Sequence, residues 1–436
     1  MAGVLLLLCL YFSWATLTEQ QPRGASAAQR LGAKLSSAAR AGSTVVIVAK
    51  TTEEDALFAT ALESHLSKLG LKVLVNVRGE PRDARQALQK LAESNEKVEF
   101  IATTAECGVW TVLEDLPTRF PALGAPRVMF AGSYRWPTFL NADNLLNVAN
   151  QIAVVAIVAA GMTVVVVAGG IDLSVGSLIA LSAVLSTLLI RKWGGTQASV
   201  AVLIASGAAG VLASGCVGAI SGLTVTAFRV PSFIATLGMM LVASGMAFKL
   251  SRGQSIYEVP DAIAWLGRGA ALFSIPNTIL LMAGIFALTH LMMARTAFGR
   301  YVYAVGGNAE AARLSGVAVG RVRVATYVVS GVLAGLSGIV LSSQLKSGAP
   351  TYGTGYELDV IAAVVVGGTS LSGGEGRVLG SLIGAFIIGV IRNGMNLMGV
   401  ESYDQKVVLG LVILGAVLLD QAKKRTWRLP GWLRKP

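Results

Sequence analysis

The chain has 436 residues, of which 54% are hydrophobic and 14% charged, and its mean hydropathy is +0.65. That balance excludes an ordinary soluble globular protein and points to a polytopic membrane protein. The net charge of +12 does not indicate nucleic acid, because the basic residues lie mostly in short breaks between apolar runs, as the positive-inside rule predicts. Cys9, Cys107 and Cys216 are far apart and lack CxxC spacing, so they imply neither a disulfide framework nor a zinc site.

Val4 to Leu17 is a compact apolar run. No basic segment precedes it and no small-residue cleavage site follows closely, so residues 1–18 read as a first transmembrane helix rather than a signal peptide. From 23 to 134 the composition changes: charges of both signs are interspersed and no run is long enough to span. Strands at Ser43 to Ala49, Lys72 to Asn76, Val98 to Thr103 and Arg127 to Ala131 alternate with helices at Thr52 to Leu69, Pro81 to Glu93 and Val109 to Phe120. That alternation predicts a soluble domain with a parallel α/β sheet. It carries no GxGxxG after the first strand and no metal-ligand cluster, and His65 is its only histidine. Docking, structural support and direct ligand binding all remain open for it.

Residues 136–422 read as the membrane domain. Apolar segments run Asn144 to Val167, Leu173 to Ile190, Ala198 to Thr226, Phe233 to Leu250, Ile275 to Met293 and Ala325 to Leu345. A short Val360 to Val366 segment, Leu379 to Ile391 and Val407 to Leu419 follow, which with the first helix makes about ten spans. If the chain starts in the cytoplasm, residues 23–134 lie outside, whereas the Arg295 to Arg323 loop and the basic tail 423–436 lie inside. The charge bias agrees, apart from Arg191, Lys192 and Arg252 on the outer side. Gly331 with Gly335, and Gly376 with Gly380 and Gly384, form small-xxx-small rows that suit close helix packing within the chain or between two copies.

Three stretches could carry chemistry. Ala168 to Ser177 holds a carboxylate, Asp172, and the hydroxyls of Ser174 and Ser177 between two apolar runs. A charge there asks for a functional reading or for a role as a helix N-cap. Leu371-Ser-Gly-Gly-Glu375 matches the signature sequence of an ABC ATPase, but no GxxxxGK[ST] phosphate loop exists in the chain, so it reads as a glycine-rich turn. Within the longest basic loop, Asn308 to Gly316 predicts a short helix with a glycine stop. It is either an amphipathic connector or a docking element with Glu310 and Arg313 at its rim.

These motifs, in order, resemble a known family. Gly169 to Ser177, Val230 to Gly238, Thr296 to Arg300 through Ala304 to Asn308 and the Glu310-Ala-Ala block, Gly367 to Gly374, and Asn393 to Asn396 are similar to the permease subunit of ribose/xylose/galactose-type ABC importers. The likeness covers roughly Trp136 to Asp420. It implies an all-helical permease of the bacterial inner membrane that works as a homodimer and imports a monosaccharide. Its implied partners are a cytoplasmic ATPase, which carries the ATP and Mg, and a periplasmic sugar-binding protein. The permease is then no enzyme and holds no cofactor or metal. Asn308, Glu310, Ala311, Ala312, Arg313 and Gly316 would form the coupling helix on the ATPase. Asn150, Gln151, Asp172, Ser174, Ser177 and Thr236 are candidates for the sugar path. The α/β block departs from the family pattern, and its strand order is similar to one lobe of a sugar-binding protein. A secondary transporter or channel is the competing reading; it needs an intramembrane ion relay, yet Asp172 and Asp359 stand nearly alone in the spans. A membrane sensor would need an output domain, and none follows the spans.

Overall fold

The computed structural model describes residues 1–40, 42–272 and 274–424, so the expected basic tail lies outside the described residues from 425 onward. The chain forms two compact units: Leu17–Thr138, and Met1–Thr16 together with the chain from Phe139 onward.

Helix α1 spans Ala2–Ala15. It packs on the second unit's later helices through Phe12, which is buried and lies over Gly394, where any Cβ would meet its ring. The smaller unit begins with β1 (Leu17–Gln20), paired antiparallel with β6 (Tyr134–Pro137). Between them run α2 (Gly24–Ala38), β2 (Thr44–Ala49), α3 (Glu53–Lys68), β3 (Lys72–Arg78), α4 (Pro81–Glu93), β4 (Phe100–Thr103), α5 (Ala105–Gly108), α6 (Leu116–Arg119) and β5 (Arg127–Phe130). The parallel sheet has the order β3-β2-β4-β5. β2 is its central strand, and Val45 to Ala49 are fully buried because helices cover both faces: Val45 and Ile47 pack with α2 and α3, Val46 and Val48 with α4. Local signals start the helices. Thr52 accepts the Asp55 N–H at the head of α3, and Pro81 opens α4 behind a Glu80/Asp83 capping box.

Sequence and structure differ at several places in this unit, among them the β1–β6 pair, which was not expected. α2 was not expected; its apolar face of Ala27, Ala28, Leu31 and Leu35 is buried. The helix expected at Val109 to Phe120 is replaced by a 3-10 turn at Thr111–Leu113 and the short α6, because Asp115 takes a left-handed φ of 50° and Pro117 follows it. The third strand is shorter than the expected Val98 to Thr103.

The larger unit holds α7 (Ala142–Val167), α8 (Val175–Trp193), α9 (Val200–Ala227), α10 (Ser232–Ser251), α11 (Ala264–Arg268), α12 (Asn277–Arg295), α13 (Ala297–Gly307), α14 (Ala309–Leu314), α15 (Val319–Leu345), α16 (Tyr356–Val366), α17 (Val378–Leu397) and α18 (Ser402–Lys424). Among the described residues, seven helices are long and apolar enough to cross a membrane: α7, α8, α9, α10, α12, α15 and α17. About ten were expected. α1 and α16 have 14 and 11 residues, roughly 21 and 17 Å of helix against a hydrocarbon core of about 30 Å. α18 also falls outside the seven.

The apolar window of α7 is 83% buried and that of α10 only 22%, so α7 is the central post and α10 faces outward. Glycine sets the tightest contacts. A Cβ at Gly331 would strike the Ser214 carbonyl oxygen of α9, and one at Gly384 the Ala363 carbonyl oxygen of α16. Both glycine rows therefore close helix pairs within one chain, α9 with α15 and α16 with α17.

Candidate functional site

α7 ends in a Schellman turn: Gly169 takes φ 81°, its N–H reaches the Val166 carbonyl, and that of Gly170 reaches Val165. The chain then turns through Ile171 to Ser174 into α8. Asp172 is fully buried in this turn. Its Oδ1 accepts the Ser174 N–H (3.0 Å) and the Ser174 hydroxyl (2.6 Å), and its Oδ2 accepts the Ser330 hydroxyl of α15 (2.8 Å). Burial pushes this carboxyl above the ordinary carboxylate range, and the hydrogen bonds from Ser174 and Ser330 work against that rise. The N-cap of α8 is Ser174, and Asp172 makes a local turn ahead of it rather than capping the helix. Thr236 of α10 is buried beside the same turn. It donates to the Ile171 carbonyl (3.2 Å) and accepts the Leu173 N–H (3.1 Å), while the Ser232 hydroxyl accepts the Ile171 N–H (3.3 Å). Asp172, Ser174 and Thr236 thus form one cluster that ties α8, α10 and α15 together. Ser177 is half-buried one turn into α8.

The other two path candidates lie near the opposite end of α7, where Gln151 precedes Val167 by sixteen residues, about 24 Å of helix. Asn150 contacts Gln344 and the Gly267 carbonyl (3.4 Å), and Gln151 is exposed. Gln151 borders a small pocket with Asp359, Arg392 and Asn393. In it Arg392 holds both Asp359 oxygens at 3.0 Å, and Asn393 exchanges amide hydrogen bonds with Asn144 (2.9 and 3.1 Å). Asp359, Asn393 and Gln151 stand out separately in the sequence, but Arg392 and the meeting of the four were not foreseen; the signal for Arg392 is an arginine set in an otherwise apolar run.

The basic loop is more structured than the sequence suggests: α13 fills its first half and α15 begins at Val319, inside the expected loop. Asn308 caps α14, its Oδ1 accepting the Ala311 N–H (2.9 Å). Gly316 closes it at φ 83° in a Schellman turn, with its N–H on Arg313 and that of Val317 on Ala312. Ala312 is the buried anchor, whereas Glu310, Ala311, Arg313 and Leu314 are exposed, Leu314 by 79%; Glu310 and Arg313 form an ion pair. The Leu371 to Glu375 turn packs beneath this segment. Gly374 donates to the Val167 carbonyl (2.8 Å), Tyr303 donates to the Gly376 carbonyl (2.7 Å), and a Cβ at Gly306 would collide with Val167 and Gly374. The glycines of that sequence serve close backbone packing. The turns at Ala168 to Ser174, Arg229 to Pro231, Asn308 to Gly316 and Gly367 to Arg377 therefore gather at one end of the bundle. Among the described residues no group of His, Cys, Asp and Glu side chains could hold a metal ion.

Residues 144–417 match the family model described as the permease component of the branched-chain amino acid transport system. The chain belongs to this permease family. The permease is also similar to curated proteins along most of their length. It is 44% identical over 292 residues to the ribose import permease protein of Escherichia coli K12, 66% of this chain and 88% of the relative. It is 35% identical over 326 residues to the L-arabinose ABC transporter permease protein of Azospirillum brasilense, 74% and 92% of the two chains. It is 33% identical over 355 residues to the xylose transport system permease protein of Escherichia coli K12, 67% and 89%. No solved structure matches it. The family match begins after the smaller unit, which it does not include.

Proposed function

We propose that this permease is the membrane subunit of an ATP-binding cassette importer that moves a pentose or hexose across the bacterial inner membrane, driven by a separate ATPase. The observation that carries the reading is α14. It is a doubly capped helix with an exposed outer surface of Glu310, Arg313 and Leu314, and the helix that leads into it, α13, meets the C-terminal end of α7 at Gly306, where an added Cβ would strike the Val167 carbonyl oxygen. A push on such a helix reaches the central post of the bundle. Coupling then requires that the ATPase bind the two states of the permease with different free energies. Arg229, Arg295, Arg300, Arg313, Arg321, Arg323 and Arg377 cluster at this end with few acidic residues, which supports a cytoplasmic location for α14 and for the C-terminus. Residues 23–134 then belong outside, where binding a sugar or docking a periplasmic sugar-binding protein are their proposed roles. The permease acts in this reading as a homodimer.

Sugar translocation makes and breaks no covalent bond here, and ATP and Mg belong to the partner. The experiment is uptake of labelled ribose, xylose and arabinose by cells expressing the permease with and without a partner ATPase of a sugar importer. Uptake that persists without any ATPase would sink the importer. Glu310→Arg breaks the exposed ion pair and reverses the rim charge, and is expected to abolish co-purification of the ATPase while leaving the permease folded.

A further inference from the structure

Two helices of the larger unit begin inside the bundle rather than at its ends. Ser330, which bonds Asp172, stands eleven residues into the 27-residue α15, roughly 16 Å along a helix of about 40 Å. The turn that holds Asp172 and opens α8 is therefore near mid-depth. α16 starts at the same level, because a Cβ on Gly176 of α8 would collide with the Glu357 carboxylate of its first turn. Residues 346–355 reach that level from the end of the bundle opposite α14 without forming a helix. A Cβ on Gly348 would meet Thr187 and Ala183 of α8, and one on Gly353 would meet Gly176 and Ile179. Gly176 precedes Thr187 by eleven residues, so the segment descends roughly 16 Å beside α8. Ser347 to Pro350 are buried on the way, but Thr351 and Thr354 are exposed, and Tyr352, Tyr356 and Glu357 are partly so. Thr354 donates to the Thr351 carbonyl (2.8 Å), and its oxygen can still accept. Among the described residues no ion pair includes Glu357, whose carboxylate rests against the backbone N–H groups of Gly355 and of its own residue. Turn backbone and a carboxylate without a cation do not face hydrocarbon at this depth; they are covered by protein or line a water-filled space.

We propose that residues 351–357 line the route of the sugar and that the Glu357 carboxylate accepts hydrogen bonds from its hydroxyls, an inference that rests on the monosaccharide import argued above. The chemistry suits that cargo. A carboxylate accepts from two adjacent hydroxyls at once, and threonine and tyrosine hydroxyls both donate and accept. A few such contacts orient a sugar and still let it leave. Transporters place their solutes near the bilayer midplane, where discontinuous helices meet, and the starts of α8 and α16 meet there in this chain. Asp172, at the same level, is closed off by Ser174 and Ser330, so the accessible carboxylate is Glu357. The competing cover for the segment is a second copy of the chain, which would leave Thr351 and Thr354 shielded from water.

The first arm of the test uses the full-length permease in phosphatidylcholine nanodiscs and needs neither ATPase nor transport, so its result is separate from that of the importer reading. Cys9 and Cys216 are replaced by alanine and the buried Cys107 is kept. Thr351→Cys, Thr354→Cys and Leu212→Cys are then made one at a time, each checked for an unchanged melting temperature. A charged methanethiosulfonate reacts with the thiolate, which forms in water. Both threonine positions are expected to label at least roughly tenfold faster than Leu212→Cys, on the exposed apolar side of α9, because little thiolate forms in hydrocarbon. Labelling as slow as that of Leu212→Cys means that lipid or a second copy covers the segment, and overturns the proposal. The second arm measures uptake of ribose, xylose and arabinose by cells that also hold a partner ATPase and sugar-binding protein. These sugars differ in where their hydroxyls point, so a lost contact affects them unequally. Glu357→Gln is expected to slow at least one of them by roughly tenfold, the worth of one hydrogen bond to a charged group, and to change the ratios among the three at unchanged melting temperature. Glu357→Asp, which keeps the charge, should recover part of the rate. Rates that fall in equal proportion for all three sugars mark a structural role and overturn the assignment of Glu357, and so do unchanged rates.

Discussion

At the scale of single residues, Asp172 changes meaning once its neighbours are known. In the sequence it is an isolated charge between apolar runs, equally suited to binding cargo and to starting a helix. In the fold no atom of it reaches solvent, and three donors from Ser174 and Ser330 already occupy its oxygens. A solute cannot touch it in this conformation, so its work here is to hold α15 against the α7–α8 turn. Ser330→Ala removes one of those donors and should lower stability by about 1–2 kcal/mol, within the range for hydrogen bonds to charged groups and between membrane helices. The expected signature is a lower melting temperature in detergent with the KM for sugar uptake unchanged; a raised KM at unchanged melting temperature would return Asp172 to the transport path. Ser330 itself was not foreseen, because nothing in one strand of sequence marks which serine of a long apolar helix faces a carboxylate 158 positions earlier.

At the scale of elements, glycine spacing was the most informative signal and its partner the least. The rows at Gly331 and Gly335 and at Gly376 to Gly384 permit close approach, but the sequence leaves open whether the approaching backbone belongs to the same chain. The fold answers with α9 and α16. Gly218 of α9 gives a testable contrast, since an added Cβ would strike the Tyr327 carbonyl oxygen, whereas Gly238 of α10 has open space around it. Gly218→Ala should therefore destabilise by about 1–3 kcal/mol through overpacking. Gly238→Ala should be neutral or stabilising by up to about 1 kcal/mol through helix propensity. Thermal melts of the two variants side by side check the pair, and equal effects would refute the packing account. The same logic explains the Leu371 to Glu375 turn, whose resemblance to a nucleotide-site signature comes only from a need for small residues where backbones meet.

At the scale of the whole molecule, the smaller unit has two apolar cores of its own, one on each face of the β3-β2-β4-β5 sheet. Residues 17–138 expressed alone should melt in a single cooperative transition, followed by far-UV circular dichroism; a chain without a transition would mean that the unit depends on the membrane part. A shift of that transition by ribose, xylose or arabinose would then separate sugar binding from docking. The membrane character, the abrupt change of composition near residue 23, the alternating strands and helices and the family motifs were all legible in the chain, because hydropathy, periodicity and turn chemistry are local properties. The path candidates were not resolved in the same way: Asn150 and Gln151 share a helix with the Asp172 turn but stand near its far end, and the Asp359–Arg392 pair joins two helices across 33 positions of sequence. Which end of a helix a polar side chain meets, and what it meets there, depends on how the helices are packed, and only the tertiary structure decides that.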